Sequence, residues 1–116
     1  MVDQQAVIRD VVQILKNQYG PRLHQVILYG SYARGDFHDE SDMDFLVIFN
    51  DPVISVKDEL QVYGPAMVAL GEKHGLVVSV MPTSLHHFQT SKRSIFRFIK
   101  QDGIVVFDER TAFSNE

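Results

Sequence analysis

The sequence predicts an α/β (α+β) fold: one domain over residues 1–116, built on a mixed sheet of about four strands with helices packed against it. Two observations carry this. Apolar residues recur first at helical spacing and then in short β-branched runs, alternating along the chain as αβαβαβαβ. And 116 residues give one hydrophobic core and no more. The 45% hydrophobic and 22% charged residues suit a water-soluble globule, and a net charge of −4 argues against general nucleic-acid binding. With no cysteine, disulfides, thiol catalysis and thiolate zinc sites are excluded. The opening MVDQQAVIRD lacks the basic start and apolar stretch of a signal peptide, and no run is long enough to span a membrane, so the expected location is cytoplasmic.

The elements follow in order. Ile8, Val11, Val12, Leu15 and Tyr19 mark a first helix, stopped by Gly20-Pro21. "HQVILYG" is a strand ending in a tight turn, where Ser31 is expected to cap a short helical turn through Tyr32, Ala33 and Arg34. "GDFHDES" is a loop and "DMDFLVIF" a deeply buried strand. Val56 to His74 is helical, with Leu60, Tyr63, Met67 and Leu70 inward, and Gly64-Pro65 predicts a kink or a division into two helices. "GLVVSVMP" is the third strand. "SLHHF" and "SKRSIFRFIKQ" form one or two helices closed by Gly103 as C-cap. "IVVF" is a last strand whose edge invites pairing or dimerisation, and residues 109–116 read as a fraying polar tail.

The chemistry concentrates in "YGSYARGDFHDESDMDFLVIF". Asp42 and Asp44 stand at i and i+2 of a strand, so both carboxylates leave the same face. So close a pair repels unless a cation lies between them, and a hard ion such as Mg2+, or Mn2+ in its place, takes carboxylate oxygens while keeping positions open for phosphates. Gly30 lets backbone approach those phosphates, and Ser31 adds a hydroxyl beside outward-pointing amides. A phosphate turn facing a metal pair describes metal-assisted nucleotidyl or phosphoryl transfer.

The spacing Gly30-Ser31, ten residues, then Asp42-Met43-Asp44 resembles the signature of the DNA polymerase β-type nucleotidyltransferase superfamily. More narrowly it is similar to the minimal nucleotidyltransferases (MNT) that act as antitoxins in HEPN/MNT toxin–antitoxin pairs. The resemblance implies that Gly30 and Ser31 contact the triphosphate of ATP, that Asp42 and Asp44 hold the metals, and that Arg34 either assists with phosphate or holds the loop by pairing with Asp36 or Glu40. Ser41 is expected to shape the turn before the aspartates. It also implies a third carboxylate on the next strand, which would help deprotonate the attacking hydroxyl; the aligned position here is Ser79.

Three readings of that departure stand open. The chain binds nucleotide without turnover; it borrows a base such as His74 or Asp58; or its acceptor needs little base. A phenol, with a pKa near 10, gives up its proton far more readily than water or an aliphatic alcohol. The resemblance favours the last: AMP transfer from ATP to a tyrosine of a HEPN-family toxin, in a hetero-oligomer with it. The alternatives are a catalytically silent antitoxin acting by contact, and a stand-alone transferase on a small molecule or RNA end.

Other signals are weak. There is no Walker loop, EF-hand, HExxH or nucleophile elbow. The five histidines lack metal-ligand spacing and read as structural or solvent-facing. Arg93, Arg97 and Lys100 share a helix face, read as solvated or as a basic patch for a partner. Phe88, Ile95, Phe96 and Ile99 read as core.

Overall fold

The computed structural model describes residues 2–114, with side chains through Thr111. Helix α1 (Gln4–Tyr19) begins where the Asp3 carboxylate accepts the Ala6 amide at 3.1 Å. Its buried stripe is Val7, Val11, Leu15 and Tyr19, so the core line falls one residue away from Ile8 and Val12, which are only half-buried. A 3-10 turn (Gly20–Arg22) then leads into β1 (Leu23–Tyr29). After α2 (Ser31–Arg34) come β2 (Met43–Phe49), α3 (Val56–His74), β3 (Val78–Ser84), α4 (Leu85–Thr90), α5 (Ser94–Asp102), β4 (Ile104–Asp108) and α6 (Glu109–Ser114).

The sheet has the order β3-β2-β1-β4. β1 runs antiparallel to β2 and β4, whereas β3 lies parallel to β2 because α3 makes the crossover. Alternate residues of each strand therefore serve two cores. Val26, Leu28, Phe45 and Val47 meet α1 and α3 on one face; Ile27, Leu46 and Ile48 meet Phe88 of α4 and Phe96 and Ile99 of α5 on the other. Phe88, Phe96 and Ile99 are thus core, as expected.

Several boundaries differ from the sequence reading, each for a local reason. α3 is not divided at Gly64-Pro65. Ser55 caps its start through the Asp58 amide, Gly75 closes its end at φ 77°, and Tyr63 and Met67 are buried on either side of an exposed Pro65. Burial of both halves outweighs the one hydrogen bond proline removes. Leu60 is exposed. The inward position goes to Glu59, whose carboxylate accepts from Arg22 Nη2 at 2.9 Å. β3 begins three residues later than expected, because Gly75 still belongs to the helix cap, and extends through Pro82 to Ser84 in register with Phe49. A proline is tolerated there because β3 is an edge strand.

Gly103 ends α5 with φ −68°, so it is not needed for a left-handed turn. A Cβ there would lie 2.5 Å from the Ile99 carbonyl and 2.6 Å from Ile27 Cγ2. The expected polar tail is helical over Glu109–Ser114; residues 115–116 lie outside the described residues. Glu109 anchors that helix, bonded to His24 Nδ1 at 2.7 Å and to the Asn50 amide at 2.9 Å. No helix among the described residues is long and apolar enough to cross a membrane.

One hydrogen bond ties the crossover helix to the strand it feeds. The buried Tyr63 hydroxyl donates to the Val80 carbonyl at 2.7 Å. Tyr63→Phe should therefore cost about 1–2 kcal/mol, read as a lower urea midpoint at unchanged slope, with nucleotide affinity preserved. A midpoint equal to the parent's would show that the bond contributes nothing net.

Candidate active site

At the N-terminal end of β2 the chain leaves an exposed loop and enters the core. Met43 and Phe45 are fully buried on the α1/α3 face, which drives Asp42 and Asp44 onto the opposite face. Asp42 is exposed just ahead of the strand and Asp44 is half-buried in its second position. The Met43 amide donates to the Val77 carbonyl at 3.0 Å, pinning the start of β2 to β3. In register, Asp44 lies between Tyr29 of β1 and Ser79 of β3. Ser79 is therefore the β3 register neighbour of Asp44.

Burial first, and the Asp42 charge second, push the Asp44 carboxyl above its ordinary pKa, against a smaller opposing pull from Arg34. The site thus holds negative charge that its protein surroundings do not fully neutralise. Tyr29, raised by burial and by the charge of Asp44, is a neighbour that the sequence reading missed. The signal was present, because a residue directly before the glycine turn is bound to pair with the strand carrying the aspartates.

Gly30 ends β1 with φ 75° and ψ −155° and is the N-cap of α2. Ser31 is the first helical residue rather than the cap, and no side chain caps this turn. The Gly30 carbonyl accepts the Ala33 and Arg34 amides, both at 3.1 Å. The amides of Ser31 and Tyr32 are those a helix start does not consume. Glycine is required here by its left-handed φ, and a Cβ on residue 30 would come within 2.6 Å of Asp44 Oδ2 and push that carboxylate aside. Backbone amides and carboxylates are thereby held side by side.

The loop between α2 and β2 is stiffened locally. Tyr32 and Phe37 stack with centroids 4.3 Å apart, and Arg34 Nε donates to Asp36 at 3.2 Å. Of the two partners expected for Arg34, the structure shows Asp36. Ser41 Oγ accepts the His38 amide at 2.9 Å, and His38 Nδ1 accepts the Glu40 amide at 3.2 Å. Together these elements enclose a crater of about 460 Å³ whose lining includes Ser31, Arg34, His38, Ser41, Asp42 and Asp44. His38 is a second neighbour the sequence reading did not place there.

Two residues considered as borrowed bases are not part of the crater's lining. His74 bonds to Asp10 at 2.9 Å between α3 and α1, and Asp58 sits in the first turn of α3. Arg97 and Lys100 lie exposed on α5, and Arg93, also exposed, is its N-cap; they stand over the rings of Phe98, Phe88 and Phe96 respectively. Among the described residues no group of three or more His, Cys, Asp or Glu side chains is gathered to hold a metal. A metal here would draw on the two carboxylates and on its substrate. Mg2+ suits that donor set, since it is commonly held by one or two carboxylates, substrate phosphates and water.

A family model described as nucleotidyltransferase domain matches residues 8–106, nearly the whole length. The chain belongs to the nucleotidyltransferase domain family. It is 35% identical over 89 residues to a candidate protein adenylyltransferase of Methanocaldococcus jannaschii, covering 73% of this chain and 89% of the relative. Its fold is shared by one chain of a toxin–antitoxin complex with AMP-PNP, at TM-score 0.65 and 16% identity, covering 90% of this chain and 76% of that one. A chain of the MntA-HepT toxin–antitoxin complex matches at TM-score 0.60 and 14% identity, covering 94% of this chain and 76% of that one. This nucleotidyltransferase thus presents Ser31 and the aspartate pair in one crater, with Gly30 lining the adjoining cavity beside Tyr29 and Arg34.

Proposed function

We propose that the protein transfers AMP from ATP to a tyrosine hydroxyl of a HEPN-family toxin and thereby silences it, in the cytoplasm. Gly30 and Ser31 receive the β- and γ-phosphates through backbone amides and a hydroxyl, and Arg34 adds positive charge at the same rim. Asp42 and Asp44 hold Mg2+ or Mn2+. When bound, the metal neutralises charge on the phosphates and on the departing pyrophosphate. The phenolic oxygen forms a bond to the α-phosphorus while the bond to the bridging oxygen breaks. Pyrophosphate leaves with that electron pair, and the phenolic proton passes to water.

The observation carrying this reading is the register pair Asp44 and Ser79. With serine rather than a carboxylate beside the aspartates, this position supplies no general base, and a phenol is the protein hydroxyl that least needs one. The candidate adenylyltransferase among the relatives supports a protein acceptor, and the toxin–antitoxin complexes among the structural neighbours support a toxin as that acceptor.

The test incubates the protein and a HEPN-family toxin with labelled ATP and Mg2+, beside an Asp42→Ala, Asp44→Ala double variant. The expected result is label on a toxin tyrosine that is lost in the variant. If no label appears and both proteins still silence the toxin, the same serine supports the second reading, an antitoxin acting by contact alone.

A further inference from the structure

We infer that the groove between α3, the start of β3 and the loop before Asp42 docks the acceptor protein, through a segment carrying basic residues around an apolar side chain. This rests on the proposed transfer to a protein acceptor and names the chemistry that brings that acceptor to the site.

The direction of approach comes from the sheet. In phosphoryl and nucleotidyl transfer the attacking and leaving oxygens lie roughly in line on opposite sides of the phosphorus. The phosphate turn Gly30-Ser31 follows β1, on one side of Asp44, so pyrophosphate departs toward β1. The nucleophile must then arrive from the other side, where β3 places Ser79 against Asp44 and forms the outer edge of the sheet. A cavity of about 420 Å³ lined by Tyr29, Gly30, Arg34 and Phe98 opens on the leaving-group side and is not on that path.

On the β3 side lies a groove of about 540 Å³. Its floor is apolar: Val68 of α3 is 64% exposed and Val77, two residues before Ser79, is 60% exposed, with Met67 between the elements. Two such valines beside a catalytic crater are an unsatisfied apolar surface. Its rim is acidic, with Asp39 and Glu40 from the loop and Glu72 from α3. None of the described residues lining it is basic, and the adjacent Lys73 is engaged with Asp10 at 3.2 Å on α1. The loop wall is the same chain segment that turns through Ser41 into Asp42, so an occupant of the groove sits within reach of the crater.

Apolar floor and acidic rim together select a cationic, partly apolar polypeptide. A nucleic-acid acceptor would meet repulsion from all three carboxylates. Such rim charges govern encounter and partner choice, and they weaken with salt.

The experiment uses two fluorescent peptides of equal length with a central tyrosine, one flanked by Lys, Arg and Leu and the other by Glu and Leu. Binding is read by anisotropy with a non-hydrolysable ATP analogue and Mg2+ present, and transfer by label from ATP. The basic peptide is expected to bind the parent protein at least about tenfold more tightly than the acidic one, with the difference shrinking in salt. Glu72→Lys should remove or reverse that preference, and Val77→Asp should weaken the apolar contribution for both peptides. Both variants should keep the parent's affinity for the ATP analogue and its melting midpoint. Peptides bound or labelled without regard to flanking charge, or a preference untouched by Glu72→Lys, would overturn the docking surface alone. Charge-selective binding with no label on tyrosine would overturn the transfer reading and leave the docking surface standing.

Discussion

With Asp44 in its proposed role as a metal ligand, Asp44→Asn is expected to lower nucleotidyl transfer by at least about 10³-fold, because losing that carboxylate would forfeit several kcal/mol of charge stabilisation in the transition state. The same substitution leaves the metal-free protein as stable as before, or more so. The sign follows from the environment. Burial and the Asp42 charge raise the Asp44 carboxyl above its ordinary value, so in the folded state the ionised form is disfavoured. A group whose folded pKa is raised subtracts stability at pH values above that range, where it must be charged, and recovers it as the pH falls and it protonates. Replacing it with a neutral isostere removes that penalty. Kinetics and thermal melts on one preparation check both halves, and added Mg2+ should raise the melting midpoint of the parent but not of the variant. A variant that loses activity and also melts markedly lower would mark Asp44 as structural instead.

Legibility in the sequence divides along a physical line. The strands and the aspartate pair were readable because side-chain alternation is a local property. The run Phe45 to Phe49 is apolar throughout and marks a strand buried on both faces, and the i, i+2 spacing of Asp42 and Asp44 puts the pair on one face of it. The elements misread were decided by tertiary contacts. Pro65 stays inside α3 because residues on both sides of it reach the same core, and Glu59 rather than Leu60 turns inward because it meets Arg22, distant in sequence. Glu109 holds α6 through His24 and Asn50, which no local pattern could announce. The same holds within the site. Gly30, Ser31, Asp42 and Asp44 stood out as a motif, whereas Tyr29 and His38 belong to the crater's surroundings through strand register and loop closure.

Ser79→Asp is the converse experiment, because it supplies the carboxylate that the sequence resemblance implies and this strand lacks. Ser79 lies on the edge strand β3, where a larger side chain meets fewer neighbours, and its register partner is Asp44 on β2. A positioned general base contributes about 10²–10⁴-fold when the nucleophile holds its proton tightly, and little when the proton is already labile. The substitution should therefore raise AMP transfer to a serine-bearing acceptor by about 10²-fold or more, and change transfer to the tyrosine version of the same acceptor by less than about tenfold. It should also lower the melting midpoint without metal, since a third carboxylate joins two that already repel, and saturating Mg2+ should return much of that loss. The discriminating quantity is the ratio of the two rates in parent and variant. A collapse of the expected tyrosine preference in Ser79→Asp would mean that the missing base is what restricts the proposed transfer to phenols. An unchanged ratio, with the variant folded and binding metal, would mean that the shape of the acceptor site makes that selection and the serine does not.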